Sequence, residues 1–378
     1  MNEVESTQVF YDLPEVLVDE LLSKCGSVSE SLLKSFQIIH NKKDDIRGEL
    51  INLNLLHRDS EVSSFPTNPT SCGVDGAYAV ERLLSTDLAV TAAVAVEGLT
   101  PPVEKRYWSN PKHHCEIKAV PHYEATGSVL RAVMMCMEME LATKAPHDVV
   151  MLDGSMTTPL IYINQALDVL NEAPYELGDI LQEGIKDTVE AVRTIVEARR
   201  SDKIFVANPK YTTKKELAEK LNLQGYEDRG LLSFILEAGE YVGPIEKSAV
   251  SKPWNIEKIS DEYLSFVSQY MNHIRNLKII YYRPFEHVPT LRLEIANSIA
   301  RNPQRLAVLF EAIKIQCGAP SIFEPYPLYM ADRMVKHLGR VIPALRRTTT
   351  QYIAESWEGE PGTTFLAMHG YRTETGRG

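Results

Sequence analysis

The sequence predicts an α/β protein in which a mixed sheet is flanked by helices and preceded by an N-terminal helical extension. Three strand-like apolar runs follow one another near residues 74–80, 88–96 and 114–122. A helical segment over 129–145 comes next, and a further strand ends at Asp153. This order of elements favours a ribonuclease H-like sheet over a doubly wound βαβ series.

The N-terminal region, residues 1–65, has leucine and isoleucine at helical spacing with charges between them, mainly over 12–58. We expect its helices to pack on the body, on a second subunit or on a partner. A Pro/Ser-rich loop separates it from a main domain over 70–345. Glycine and threonine are frequent in residues 346–378, which predicts a loose tail.

In the second half of the chain, helices and strands continue to alternate. We predict helices over 181–200, 214–221 and 303–316 and around Ala331, and strands over 204–207, 277–283 and 290–295.

Composition restricts the classes of function. The hydrophobic share is 44% of 378 residues, enough for a substantial core, and the formal net charge is −11. Because basic residues supply much of the affinity for nucleic acid, this charge counts against a stand-alone DNA binder. Either the basic residues are concentrated in one groove, or a partner holds the nucleic acid.

The sequence also predicts a cytoplasmic protein without a membrane anchor. No apolar run has the length that a bilayer span needs, and the acidic N-terminus lacks the layout of a secretory signal. The five cysteines are scattered and include no CxxC pair, as expected in a reducing compartment.

Two acidic residues, Asp75 and Asp153, each end a strand-like run and precede a glycine. Asp-Gly is a common turn dipeptide, so either pair alone could be only a turn. Two such pairs with an acidic helix between them instead favour a shared site. Several buried carboxylates require a cation, and hard divalent ions such as Mn²⁺ or Mg²⁺ prefer oxygen ligands.

On the intervening helix, Glu138 lies on the apolar side with Met134 and Leu141, whereas Glu140 is spaced for a surface pair with Lys144. Glu138 is therefore the candidate ligand, although Arg131 could pair with it instead. Lys210 follows a strand and a proline and could stabilise a phosphate, although most lysines are simply solvated. Asp228 precedes Arg229, where a surface ion pair is an equal alternative to a metal role.

The ordered motifs resemble the NurA nuclease family. They are Val74-Asp75-Gly76, Met137-Glu138-Met139-Glu140-Leu141, Leu152-Asp153-Gly154-Ser155, Val206-Ala207-Asn208-Pro209-Lys210, Asp228-Arg229, Leu236-Glu237-Ala238-Gly239-Glu240, Leu291-Arg292-Leu293-Glu294-Ile295 and Pro325-Tyr326-Pro327-Leu328 through Ala331-Asp332-Arg333. The series covers about residues 70 to 340.

The resemblance implies a ribonuclease H-like fold, a homodimer and a manganese-dependent exo- and endonuclease that acts on DNA. It implies that Asp75, Glu138 and Asp153 hold the metal and that Lys210, Tyr326 and Asp332 complete the site. It also implies a partner, the HerA-type hexameric ATPase, which translocates DNA during end resection and double-strand break repair. A role in defence against foreign DNA is equally compatible.

Two alternatives remain open at the level of sequence. The chain could be a catalytically degenerate structural partner of a DNA translocase. It could also be an actin-like phosphotransferase, which uses a related sheet and Asp-Gly turns, although a second phosphate-binding loop is not apparent. The sequence has no GxxxxGK[ST] motif, so a P-loop ATPase is excluded.

Overall fold

The structure, a computed structural model, describes residues 13–62, 68–198, 200–210, 215–221, 223, 226–247, 274 and 276–377. The chain divides into two compact units, Met1–Leu53 and Asn54–Gly378. The predicted loop over 63–71 begins outside the described residues, which resume at Asn68.

The N-terminal unit contains two helices, α1 (Glu15–Asn41) and α2 (Lys43–Asn52). Many large apolar side chains of α1 are exposed, among them Leu21, Leu32 and Phe36. The predicted N-terminal helical extension is confirmed, although residues 56–58, predicted as helix, form a strand instead.

The second unit is built on one mixed sheet. Its strands are β1 (Leu56–Arg58), β2 (Ser71–Leu83), β3 (Asp87–Glu97), β4 (Lys112–Val120), β5 (Val149–Asp153), β6 (Ile204–Asn208), β7 (Glu240–Glu246), β8 (Lys278–Arg283), β9 (Leu291–Ile295) and β10 (Gly370–Arg377). The order across the sheet is β1-β7-β8-β9-β6-β5-β2-β3-β4, and β10 pairs with the second half of β2. Strands β2, β5 and β6 are mutually parallel neighbours, and the remaining pairings are antiparallel.

Helices cover both faces of the sheet, so the predicted fold class is confirmed. The helices of this unit are α3 (Thr126–Lys144), α4 (Thr158–Val169), α5 (Tyr175–Val196), α6 (Asp228–Ile235), α7 (Asn297–Ala300), α8 (Pro303–Gln316), α9 (Tyr326–Val335), α10 (Leu338–Ser356) and α11 (Pro361–Ala367). One apolar layer joins α3 and α5 to Val74, Val150 and Leu152. The layer on the opposite face joins α8 and Leu328 of α9 to Val149 and Met151.

Two further predictions of secondary structure are wrong, and one strand is missed. Residues 346–378 are not a loose tail, because they include the end of α10, all of α11 and the strand β10. The predicted helix over 214–221 appears as turns in its described part. The sequence also fails to predict strand β7, because a turn signal over 237–240 obscures the run that follows it. That run pairs with β8 and β1.

Among the described residues, no helix has both the length and the apolar character that crossing a membrane requires. All five cysteines are free thiols, and Cys25 and Cys115 are exposed.

Candidate metal centre

The register of the parallel strands brings Asp75 and Asp153 side by side. Val74 of β2 pairs with Leu152 of β5, so the next residue of each strand is one of the two acids. Adjacent strands lie about 4.8 Å apart, and side chains at matching register positions point to the same face. Asp153 ends β5, but the prediction that Asp75 also ends its strand is wrong, because β2 continues to Leu83. Both acids lie where the parallel pairing of β2 with β5 stops, an edge at which α/β proteins commonly bind ligands.

Helix α9 brings a third carboxylate to the same place. The helix begins against β2 at Gly73, where an added Cβ would lie 2.5 Å from the backbone nitrogen of Leu328. Only glycine permits this approach. Asp332 follows Leu328 by one helical turn and so lies on the same side of α9. One carboxylate oxygen from each of Asp75, Asp153 and Asp332 lies within 4.8 Å of the other two.

Glu138 reaches the acids from the other face of the sheet. Helix α3 packs over Gly76, where an added Cβ would lie 2.5 Å from Glu138 Oε1. Alternation along β2 places Gly76 on the face opposite to Asp75. The glutamate is fully buried beside these aspartates but stands outside the group of three oxygens that lie closest together.

Two buried acids of the site, Asp75 and Glu138, have pKa values that are raised by their surroundings. Burial raises the pKa of Asp75 well above its ordinary value, the charge of Asp153 adds to this, and the charge of Lys210 opposes it. Burial also raises the pKa of Glu138, with Asp75 and Asp153 contributing repulsion. Like charges held in a low-dielectric site account for both shifts.

Lys210 supplies the positive charge at this edge of the sheet. Its Nζ lies 3.0 Å from Asp153 Oδ2 and 2.9 Å from Glu324 Oε2. Burial opposes the charged form, but Asp153 and then Glu324 raise the pKa of Lys210 above its ordinary value. The lysine is therefore a fixed ammonium group in the site.

The oxygen donors fit a divalent cation. Asp75 Oδ1 accepts a hydrogen bond from the backbone of Gly76 at 2.8 Å. Asp75 Oδ2 and Glu138 Oε1 are buried and have no hydrogen-bond partner in the part of the chain that the structure describes. Buried carboxylate oxygens are normally paired, and a hard cation held beside the three aspartates would satisfy Asp75 Oδ2. Mn²⁺ and Mg²⁺ match this donor set.

The turn after Asp153 is held by a second group of buried charges. Ser155 Oγ donates to Glu294 Oε2 at 2.7 Å, and the backbone N–H of Met156 donates to the same oxygen at 3.1 Å. The ammonium group of Lys247 donates hydrogen bonds to Ser155 Oγ and to Glu294 Oε2. Burial disfavours the charge on Glu294, yet Lys247 and then Arg292 lower its pKa to about 2. This anchored turn fixes the end of β5 that carries Asp153.

The structure decides two alternatives that the sequence left open. Arg131 does not pair with Glu138: it donates to the hydroxyl of Tyr78 at 3.0 Å and lies over the ring of Tyr162. Asp228 is neither a surface ion pair nor a member of the carboxylate group. It is buried and accepts hydrogen bonds from the backbone of residues 217 and 218 and from the hydroxyl of Tyr281.

Of the predicted site residues, the structure brings Asp75, Asp153, Asp332 and Lys210 together and buries Glu138 beside them. Tyr326 is half-buried at the start of α9, and its role stays a prediction.

Sequence reasoning missed Glu324, which contacts Lys210. The available signal was weak: an acid directly before a Pro-Tyr-Pro sequence that begins a helix.

Comparison with solved structures identifies the fold. The chain is similar to the NurA nuclease from Sulfolobus solfataricus with a TM-score of 0.58 and 13% sequence identity, covering 92% of this chain and 100% of that chain. This chain has the NurA fold. The resemblance seen in the motifs is thus confirmed at the level of the fold.

Two further NurA structures are similar at lower scores. One is NurA with manganese, with a TM-score of 0.44, 15% identity and coverage of 84% of this chain and 98% of that chain. The other is NurA bound to dAMP and manganese, with a TM-score of 0.47, 13% identity and coverage of 84% and 97%. No protein-family model and no curated protein sequence matches the chain.

Proposed function

We propose that this chain is a metal-dependent nuclease that hydrolyses phosphodiester bonds of DNA, as both an exo- and an endonuclease. The observation that carries the proposal is the convergence of three carboxylate oxygens, from Asp75, Asp153 and Asp332, within 4.8 Å of one another. Asp75 is buried and the other two are partly buried, and carboxylates at this separation in such a site repel unless a cation is shared between them. Phosphodiester hydrolysis by such carboxylate clusters is a common use of divalent ions.

Asp75, Asp153 and Asp332 would hold the ion, with Glu138 as a further ligand or as a support to Asp75. A bound Mn²⁺ or Mg²⁺ lowers the pKa of a water molecule and neutralises charge on the phosphate. Lys210, fixed between Asp153 and Glu324, is placed to stabilise the negative charge that grows on the phosphate oxygens. Tyr326, on the first turn of α9, would line the entrance for the DNA strand.

The partners that we propose are DNA, a second copy of the chain and a HerA-type hexameric ATPase, with a role in DNA end resection, in double-strand break repair or in defence. The net charge of −11 supports a motor partner, because a translocase could hold and feed the DNA. The exposed apolar side chains of α1 support a contact with another protein chain. We place the protein in the cytoplasm.

The test is a nuclease assay on end-labelled single- and double-stranded DNA, with manganese, magnesium or chelator. We expect cleavage with a divalent ion and none with chelator. Asp75→Asn and Asp153→Asn should abolish cleavage, and full manganese-dependent activity in either variant would refute the assignment.

The matched control is Glu81→Gln. It changes another buried acid of β2, one that is paired with Arg346, so activity should persist. The same assay separates the alternatives. An inert wild-type chain that stimulates a translocase would indicate a degenerate structural partner, and ATP binding by the chain alone would indicate a phosphotransferase.

A further inference from the structure

A row of exposed cations begins at the residue after Asp332. Five basic residues and no acidic residue lie between Asp332 and Glu355, in a chain whose acids outnumber its Lys and Arg by 51 to 40. Four of the five are exposed, and we call them the basic stripe: Arg333, Lys336, Arg340 and Arg347. None of the four forms an ion pair with a carboxylate of the described residues.

These cations are exposed along two consecutive helices, α9 and α10. Arg333 is in the last turn of α9 and Lys336 directly follows that helix, whereas Arg340 and Arg347 lie in α10, seven residues apart, a spacing that keeps them on one side of a helix. The opposite side is anchored to the sheet: Val335 and Ile342 are buried, and Arg346 pairs with Glu81 of β2. The stripe is therefore presented to solvent by helices whose other side is fixed.

The stripe is also connected directly to the carboxylate site. The backbone N–H of Lys336 donates to the carbonyl oxygen of Asp332 at 2.8 Å, so the first cations lie within one turn of a site acid. Within α10, Arg340 and Arg347 are about 10 Å apart along the helix axis, at about 1.5 Å per residue.

We propose that the basic stripe binds the phosphate backbone of the DNA strand that leads to the carboxylate site. The inference rests on the proposed nuclease function and adds a track for the substrate outside the point of cleavage. It also explains how a chain with a net charge of −11 can hold DNA, because the cations are concentrated on one surface beside the site. Contacts of this kind are to phosphates, so they carry no sequence preference.

The test compares two variants of the full chain that lose the same charge. The stripe variant is R333Q/K336Q/R340Q/R347Q. The control variant changes four exposed cations elsewhere, K34Q/K118Q/K220Q/R301Q. Affinity for a fluorescent single-stranded 20-mer is measured in chelator, so that no cleavage occurs, over a series of salt concentrations.

We expect the stripe variant to bind at least about tenfold more weakly, with the slope of log affinity against log salt reduced by about 3, at ~0.7 per lost phosphate contact. The control variant should change affinity by less than about threefold. A third variant, R333K/R340K/R347K, keeps the charges and should retain the wild-type slope. An unchanged slope in the stripe variant overturns the inference. It would indicate that the stripe binds an acidic protein partner instead of DNA.

A small substrate distinguishes this inference from the proposed function. Thymidine 5′-p-nitrophenyl phosphate occupies only the site of cleavage, so the stripe variant should hydrolyse it with manganese at the wild-type rate. An equal loss on this substrate and on the 20-mer overturns the inference, since it indicates damage to the site. If the wild type cleaves neither substrate, the nuclease proposal fails, and the salt slope still decides whether the stripe binds DNA.

Discussion

Gly76 and Glu138 occupy adjoining space in the structure: a Cβ added at Gly76 would lie 2.5 Å from Glu138 Oε1. The missing side chain of one residue thus makes room for the carboxylate of the other. Because Cβ atoms essentially never approach another atom so closely, any larger residue at position 76 must displace Glu138, the strand, or Met134, whose Cγ would lie 2.6 Å away. This relationship allows a direct test of the position of Glu138.

Gly76→Ala should lower nuclease activity at least about tenfold and destabilise the fold by about 1–3 kcal/mol, the cost of overpacking a filled interior. Activity and thermal unfolding measure the two effects. Gly178→Ala is the control, because a Cβ there would lie 3.6 Å from Leu170, at ordinary contact distance, within α5. If Gly76→Ala keeps full activity, Glu138 has no part in the reaction.

Lys210→Met should lower kcat about 10²-fold and leave KM nearly unchanged, because charge that stabilises the transition state acts mainly on the chemical step. Steady-state kinetics on a short DNA substrate with manganese separate the two constants. Glu324→Gln removes one of the two carboxylates that contact Lys210 but leaves Asp153, so its effect should be smaller. A change in KM alone for Lys210→Met would assign the lysine to substrate binding.

The raised pKa values of Asp75 and Glu138 predict how stability depends on pH. Their ordinary values are 3.8 and 4.5, and folding raises both. Between the ordinary and the raised pKa the folded chain binds more protons than the unfolded chain, so stability falls as pH rises through this window. A tenfold change in a group's acid dissociation constant on folding corresponds to about 1.4 kcal/mol of stability.

Without metal, the wild type should therefore lose thermal stability as pH rises above the ordinary pKa values of these two groups, and Asp75→Asn should lose less. Manganese competes with these protons, so the stabilisation it gives should grow over the same range. Thermal unfolding with manganese and with chelator measures both effects. A manganese effect that is independent of pH, or equal in Asp75→Asn, would contradict the assignment of Asp75 as a ligand.

Glu294→Gln should destabilise the protein by about 3–5 kcal/mol, because it leaves buried cations without their carboxylate partner. The bonds from Ser155, Met156 and Lys247 would weaken together, so the turn after Asp153 should loosen and activity should also fall. The control is Glu237→Gln, which breaks a half-exposed pair with Arg58 and should cost at most about 1 kcal/mol. Chemical denaturation compares the two variants.

The sequence could predict the aspartates because each follows a strand-like apolar run, and neighbouring parallel strands bring such positions to one edge of a sheet. It could not predict that β2 continues past Asp75 to Leu83, because that continuation is set by pairing with β3 and β10. It could not place Glu138. Helical periodicity shows that the residue lies on an apolar side, but not which face of the sheet that side covers. The place of Asp332 depends on the contact between Gly73 and α9, a tertiary contact that local patterns do not record.

Dependence on tertiary contacts also explains why sequence reasoning missed Glu324 and strand β10. Glu324 is identified as a site residue only by its distance to Lys210. Strand β10 lies in a segment with a composition typical of loops, and its strand structure comes from pairing with β2 rather than from its own residues. In both cases the information lies in a partner far away along the chain.

The pairing of β10 with β2 also bears on how the protein can be shortened or tagged. Residues 370–377 align antiparallel to residues 77–83, immediately beyond Asp75 on the same strand. Removing them would leave that stretch paired only with β3 and expose its other side as an unpaired strand edge, a surface that pairs with other chains and promotes aggregation. Affinity handles fused directly after Arg377 would sit close to the stretch of β2 that follows Asp75.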